Sequence, residues 1–374
     1  MKEWDTFGLD MDVLRGVYAL GFEFASPIQE QAIPIIISGK DVIAQAQSGT
    51  GKTGAFCISA LQLCKPIQEQ QVLILSPTRE LAMQTHAVFQ KLAFFTTIQS
   101  QLLIGGTSVN SDIQEMKKNP QVIIGCPGRV IDFLSRGLLK PTISMVILDE
   151  ADEILSQGFQ PQLHTIFDSI RENAQVVMFS ATIPESLNSI TSKIMRNPVE
   201  LLVKSDMLTL EGISQFYISF ENDADKLSAL QDLYEGISVS QSIIYCNSVK
   251  RISNLYDVMK EAGYPVCCIH SEMDKMDRQN AYNDFKTGKY RVLISSNVTA
   301  RGIDIQQVGV VINFDLPKCV HNYLHRIGRS GRWGRKGLGI NFITKYDKEM
   351  IQTIEKHYQT QIKELPNNYA DLLK

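Results

Sequence analysis

The segment Ala46-Gln47-Ser48-Gly49-Thr50-Gly51-Lys52-Thr53 carries the clearest chemistry in the chain. Its glycines let backbone N–H groups close around a phosphate, and a helix starting there adds partial positive charge. Lys52 has the reach to meet terminal phosphates, and the Thr53 hydroxyl is suited to ligating Mg²⁺. Ala46 stands where the usual pattern has glycine and, being small, permits the same close approach. The same residues contain Gly49-x-Gly51-x-x-Gly54, the spacing of a dinucleotide site. The embedded Lys52-Thr53 pair favours a nucleoside triphosphate instead.

A second chemical group is Asp149-Glu150-Ala151-Asp152, which follows the apolar run Met145-Val146-Ile147-Leu148. An acidic cluster after a strand is by itself no more than a solvated turn or a helix cap. Beside a phosphate loop it becomes a hydrolysis site. Asp149 would hold Mg²⁺ directly or through water, and Glu150 would orient and deprotonate the attacking water.

These groups need a scaffold that brings distant loops to one edge. Short apolar runs at 41–44, 72–75, 102–104, 122–124, 146–148 and 176–179 are too short for helices and lack polar alternation. Such runs are expected of parallel strands covered on both faces. Helix-length segments at 52–64, 80–93 and 129–135 separate them, and alternating strands and helices predict a doubly wound parallel sheet. The second half repeats the rhythm, with strands at 216–219, 243–246, 266–269, 292–295, 310–314 and 340–343. Helices are expected there at 225–234, 250–261, 277–286 and 347–358. The polar stretch 204–212 ends in glycine and predicts a linker between domains at 1–203 and 213–374.

The 374 residues are 44% hydrophobic and 21% charged, which excludes a disordered chain and a disulfide miniprotein. Lys and Arg number 37 against 40 Asp and Glu, a net charge of −3 that argues against a generally basic nucleic-acid coat. Local basic patches stay open, because distribution matters more than the sum. The seven cysteines are scattered and none has metal-site or redox-site spacing, as expected of free thiols in a reducing compartment. No apolar run approaches the roughly 20 residues that span a bilayer. Met1–Asp5 has no secretory apolar core, so a cytoplasmic protein without membrane contact is expected.

With Asp149–Asp152 in place, the sequence resembles the DEAD-box RNA helicases, and similar motifs run in family order from Phe7 to Arg332. The resemblance implies two RecA-like domains, ATP and Mg²⁺ as ligands, and RNA as partner. Gly21-Phe22 and Ser26-Pro27-Ile28-Gln29 match the adenine motif, in which Phe22 stacks on the base and Gln29 reads its edge. Pro77-Thr78-Arg79, Gly105-Gly106 and Pro127-Gly128-Arg129 match RNA-backbone motifs, where glycine admits close approach and arginine gives a two-pronged donor. Ser180-Ala181-Thr182 matches the coupling motif, whose hydroxyls bond the acidic cluster through Asp152.

In the second half, 300–304 and 325–332 carry the match. By resemblance Arg329 and Arg332 act as arginine fingers on the γ-phosphate, Asp304 bonds the ribose hydroxyls, and Asn247 and Ser296 contact RNA. The bland alternative for the arginines is a basic patch for RNA phosphates. Three residues depart from the family pattern: Cys126 for Thr, Lys275 for Gln and Asn297 for Asp. All fall on RNA-side or interdomain motifs, so RNA affinity is the property they touch.

The implied cycle is closure of two lobes on ATP and single-stranded RNA, local opening of short duplexes, then reopening after hydrolysis. The segments 44–49, 208–213 and 369–373 are most similar to family members of translation initiation. That implies a monomer aligned by a scaffold protein that bridges the lobes. The alternative is an ATP-gated RNA clamp in a nuclear messenger RNA complex, which shares nearly every motif.

Overall fold

The computed structural model describes residues 2–46, 50–183, 185–202, 213–236, 241–296, 308–330 and 337–366. The expected linker 204–212 lies outside them, as do Gln47, Ser48, Gly49, Asn297, Asp304 and Arg332. The chain forms two compact units, Met1–Val203 and Lys204–Lys374.

The first unit holds strands β1 (Val42–Gln45), β2 (Val72–Leu75), β3 (Ser100–Leu103), β4 (Val122–Gly125), β5 (Met145–Leu148), β6 (Gln175–Ser180) and β7 (Val199–Leu202). They form one sheet in the order β3-β4-β2-β5-β6-β1-β7, with every pairing parallel. Side chains alternate between faces with period two. Val42, Ala44, Ile74, Ile147 and Phe179 therefore enter one apolar core, while Ile43, Leu73, Leu75, Val146 and Met178 enter the other. Both faces are covered by helices, which is why the strands read as continuous apolar runs.

The second unit holds β8 (Ile213–Ser219), β9 (Ser242–Tyr245), β10 (Val266–Ile269), β11 (Val292–Ser295), β12 (Val310–Asn313), β13 (Gly337–Ile343) and β14 (Lys363–Glu364). Their order is β10-β11-β9-β12-β13-β8-β14, again all parallel. Two cores flank this sheet as well, one around Ile243, Leu293 and Val311, the other around Ile244, Ile294, Ile312 and Phe342.

The expected strands all exist, three of them (72–75, 266–269 and 292–295) with the expected bounds and the rest with ends shifted by no more than three residues. Two edge strands, β7 and β14, were not expected. β7 is only four residues long and carries Glu200 in its middle, and β14 is two residues of charge. Neither has the apolar run that marks a central strand. Among the described residues no helix is long and apolar enough to cross a membrane. The seven cysteines are free.

Candidate functional site

β5, β6 and β1 are neighbours in the first sheet, so their carboxyl ends present Asp149, Ser180 and Ala46 along one edge. Open α/β sheets bind ligands at that edge. Main-chain bonds fasten the loops together: Ala46 N–H donates to Ser180 O at 3.0 Å, and Gln45 Nε2 donates to Ala181 O at 3.2 Å. Gly51 takes φ 97°, left-handed backbone that glycine adopts without strain, and it starts the helix Lys52–Leu63. Thr50 and Gly51 are the described end of the loop, with Lys52 and Thr53 in the helix's first turn.

Lys52 and Glu150 meet at 2.9 Å, and both side chains are 5% exposed. The ammonium is thus held inside the site by the carboxylate expected to act on water. Glu150 itself has φ 50° and ψ 55°, one of four non-glycine residues with left-handed φ among the described residues. That conformation is costly for a glutamate, and such cost concentrates where surrounding structure fixes a functional side chain. Here it aims Glu150 back at Lys52 at the head of the helix Ala151–Ser156.

Asp149 is 2% exposed, and burial followed by the neighbouring Glu150 charge pushes its carboxyl well above the usual carboxylate range, with Lys52 partly offsetting this. Its Oδ2 is buried without a hydrogen-bond partner. A hard divalent cation with oxygen preference fits such an atom, and its charge would favour the ionised form. The donor set of Thr53 hydroxyl and Asp149 carboxylate therefore suits Mg²⁺.

The coupling motif is wired as its residue types imply. Thr182 Oγ1 donates to Asp152 Oδ2 at 2.7 Å, Ser180 Oγ donates to Thr182 O at 2.6 Å, and Asp152 N–H donates to Ser180 Oγ at 3.2 Å. All three side chains are buried.

Gln29 is buried rather than solvated. Its Oε1 accepts from Ser26 N–H at 2.8 Å, closing the first turn of the helix Pro27–Ile37, and its Nε2 donates to Gly51 O at 3.1 Å. An amide has two donors and two acceptor sites, so one of each is left for a base edge. A side chain on Gly54 would lie 2.6 Å from Gln29 Nε2 and 3.3 Å from the Phe22 ring. The glycine that made the dinucleotide spacing thus serves the adenine motif, letting the helix Lys52–Leu63 approach Phe22 and Gln29. Phe22 is half-buried and stacked against Trp4 at 6.3 Å.

A second cluster forms beyond β2 and β4, which are also neighbours. The helices Arg79–Leu92 and Pro127–Ser135 both begin there, turning two positive helix ends to one edge. Pro77 is buried before the first, and Thr78 caps it by accepting from Leu81 N–H at 3.3 Å. Arg79 lies over Gly105, where an added Cβ would be 3.0 Å from its guanidinium. Arg129 donates to Ile104 O at 2.9 Å and to Thr107 O at 2.7 Å, with Asp112 at 3.6 Å. Its guanidinium thus holds the Gly105-Gly106 loop in shape, and Gly106 takes φ 97° within it.

Cys126 sits at the N-cap of the helix Pro127–Ser135 and makes no side-chain cap bond. It packs with Ala82 and Ile104, and burial pushes its thiol up to about 12. Lys275 opens the helix Lys275–Lys286, with Arg278 in the same helix.

In the second unit, Asn247 follows β9 on an exposed turn. Its N–H donates to Asp315 Oδ2 at 2.9 Å and its Nδ2 to Leu316 O at 2.8 Å. Ser296 follows β11, and its carbonyl accepts from Ser295 Oγ at 3.1 Å. Arg329 is buried just past the helix Val320–Ile327. Sequence reasoning missed Arg326, which is fully buried and bonds Asn247 Oδ1 at 2.8 Å. It hid inside a basic run that reads as surface; the signals available were the asparagines ending and interrupting otherwise apolar strands, Asn313 and Asn341.

Comparison with known proteins places this geometry. The DEAD/DEAH box helicase model matches residues 26–190, and the helicase conserved C-terminal domain matches 225–334. The ATP-dependent RNA helicase eIF4A of Chaetomium globosum is 49% identical over 375 residues, covering 100% of this chain and 94% of the relative. That of Neurospora crassa is 48% identical with the same coverage. Among solved structures, S. cerevisiae Dbp5 bound to RNA and ADP BeF3 matches with TM-score 0.93 and 35% identity over 100% of this chain and 98% of that one. Mss116p bound to ssRNA and AMP-PNP matches with TM-score 0.87 and 27% identity over 98% of this chain and 80% of the other.

Proposed function

Because this chain belongs to the DEAD/DEAH box helicase family, with both helicase models matched in order, we propose a role for each part of the sites above. The protein is an ATP-dependent RNA helicase and RNA-stimulated ATPase of the eIF4A kind, using ATP with Mg²⁺. The observation that carries the assignment of roles is the buried Lys52–Glu150 pair beside the partnerless Asp149 Oδ2.

Phe22 stacks on adenine and Gln29 reads its edge with the donor and acceptor it has left. The segment 46–53 cradles the phosphates. Thr53 and Asp149 hold Mg²⁺, which neutralises charge on the phosphate oxygens when bound. Terminal phosphates compete with Glu150 for Lys52, and a Glu150 released from its ion pair becomes the base for water. Nucleotide arrival thus arms the catalyst by the same contact that binds it.

Asp152, Thr182 and Ser180 relay the state of the acidic cluster to the β6 loop. Pro77, Thr78, Arg79, Gly106 and Arg129 form the first unit's RNA face, with Arg129 acting through the loop it supports. Asn247 and Ser296 serve RNA in the second unit, Asp304 bonds ribose, and Arg329 and Arg332 stabilise γ-phosphate charge once ATP and RNA close the two units. The domains run 1–203 and 213–374 about a linker at 204–212. A monomer acting in the cytoplasm in translation initiation, aligned by a scaffold protein, fits the eIF4A likeness.

The test is steady-state ATP hydrolysis with and without single-stranded RNA. Wild type is expected to be stimulated by RNA. Glu150→Gln should lower kcat by about 10²-fold or more while keeping ATP affinity, because it removes the base and the competitor for Lys52 together. Lys52→Ala should lose affinity as well. Hydrolysis indifferent to RNA would sink the helicase cycle and favour a clamp.

A further inference from the structure

A row of polar side chains crosses the core of the second unit where its neighbours are apolar. Tyr245 of β9, Asn313 of β12 and Asn341 of β13 are register partners across three adjacent strands. Asn313 Nδ2 donates to Asn341 Oδ1 at 2.8 Å. Asn341 Nδ2 reaches Tyr323 Oη at 3.2 Å, Tyr323 donates to Gln215 Oε1 at 2.9 Å, and Gln215 Nε2 donates to Thr360 Oγ1 at 3.1 Å. At the other end stands Arg326, with Nη1 donating to Asn313 Oδ1 at 3.1 Å and Asp315 O at 2.7 Å, and Nη2 to Asn247 Oδ1 at 2.8 Å. Its guanidinium also lies 5.1 Å from the centre of the Tyr245 ring.

We propose that Arg326 is a positioning residue that locks the Asn247 loop and the helix end carrying Arg329 into one geometry, so that RNA binding and ATP turnover share a single buried support. The inference rests on the helicase reading above. A buried charge is unfavourable unless surrounding acceptors compensate it. Here three acceptors from two separate segments, Asn247 after β9 and Asn313 and Asp315 at the end of β12, converge on one planar fork. Arg326 lies on the last turn of the helix Val320–Ile327, three residues before Arg329, whose N–H donates to Arg326 O at 3.2 Å. A shift of the guanidinium therefore moves an RNA-side loop and a nucleotide-side arginine together. Lysine keeps the charge but lacks the flat, multiply donating head, so it cannot span the three acceptors.

The experiment compares wild type, Arg326→Lys, Asn313→Ala and Gln215→Leu. Affinity for fluorescent single-stranded RNA is read by anisotropy, alongside RNA-stimulated hydrolysis, ADP affinity and Tm. Arg326→Lys and Asn313→Ala should bind RNA at least fivefold more weakly and lose at least tenfold in kcat. ADP affinity should stay within twofold, because Phe22, Gln29 and Lys52 belong to the first unit. Gln215→Leu breaks the far end of the row and should lower Tm while leaving RNA affinity and kcat within twofold. The proposal is overturned if Arg326→Lys and Asn313→Ala retain RNA affinity and kcat within twofold, or if Gln215→Leu reproduces their losses. A wild type whose hydrolysis ignores RNA removes the helicase cycle alone, since anisotropy still reads the positioning effect.

Discussion

At the scale of single residues, the site depends as much on missing side chains as on present ones. Gly54 lies where any Cβ would meet Gln29 Nε2 at 2.6 Å and the Phe22 ring at 3.3 Å. Gly54→Ala in the first turn of a helix gains propensity by at most about 1 kcal/mol, so simple helix energetics predict a benefit. The contact argues the reverse for function, because the methyl displaces both adenine-reading groups. The expected outcome is a KM for ATP raised about tenfold or more with little loss of Tm. Discrimination between ATP and GTP should shrink alongside. An unchanged KM with intact selectivity would show that Gln29 moves aside at no cost to adenine recognition.

Residue types gave away the phosphate loop and acidic cluster because their chemistry is local in sequence. They did not reveal Arg326 or the occupied state of Arg129, because those roles depend on carbonyls brought in from distant segments. A basic run reads the same whether its arginines face solvent or support loops.

Elements show a similar division. Central strands such as β2 and β5 were legible because a parallel strand buried on both faces must be apolar throughout. Edge strand β7 escaped because one side is unpaired, so Glu200 is tolerated in it. Helix starts matter more to function than helix bodies here. The helix Arg79–Leu92 opens with a threonine cap, whereas its neighbour Pro127–Ser135 opens with Cys126 and no cap bond. Threonine as N-cap satisfies a backbone donor of the first turn, and such caps contribute about 0.5–2 kcal/mol. Cys126→Thr is therefore expected to raise Tm and to tighten RNA binding by severalfold, by fixing the amides of that turn. The thiol packs with Ala82 and Ile104, so the hydroxyl must rotate toward the helix to realise the gain. Thermal melting and RNA anisotropy on the variant read both effects. A lower Tm with unchanged RNA affinity would mean that the apolar contact outweighs the cap.

For the whole molecule, the division of labour follows the division of the chain. Each unit has its own parallel sheet, and among the described residues each of the apolar cores flanking a sheet is built from residues of one unit. Burial of that kind is what independent folding requires. Phe22, Gln29, Lys52, Thr53, Asp149 and Glu150 all lie within Met1–Val203, whereas Asn247, Arg326 and Arg329 lie in Lys204–Lys374. Residues 1–203 produced alone are thus expected to melt cooperatively and to bind ADP with affinity near that of the full chain. Their ATP hydrolysis should be slow and should not respond to RNA, since the arginines assigned to γ-phosphate charge are missing. Adding the second unit in trans should restore little, because two separate chains lose the effective concentration that a tether supplies. Strong RNA stimulation of the isolated first unit would relocate the coupling entirely to Asp152, Thr182 and Ser180. Loss of ADP binding would instead mean that the nucleotide site needs the second unit to form at all.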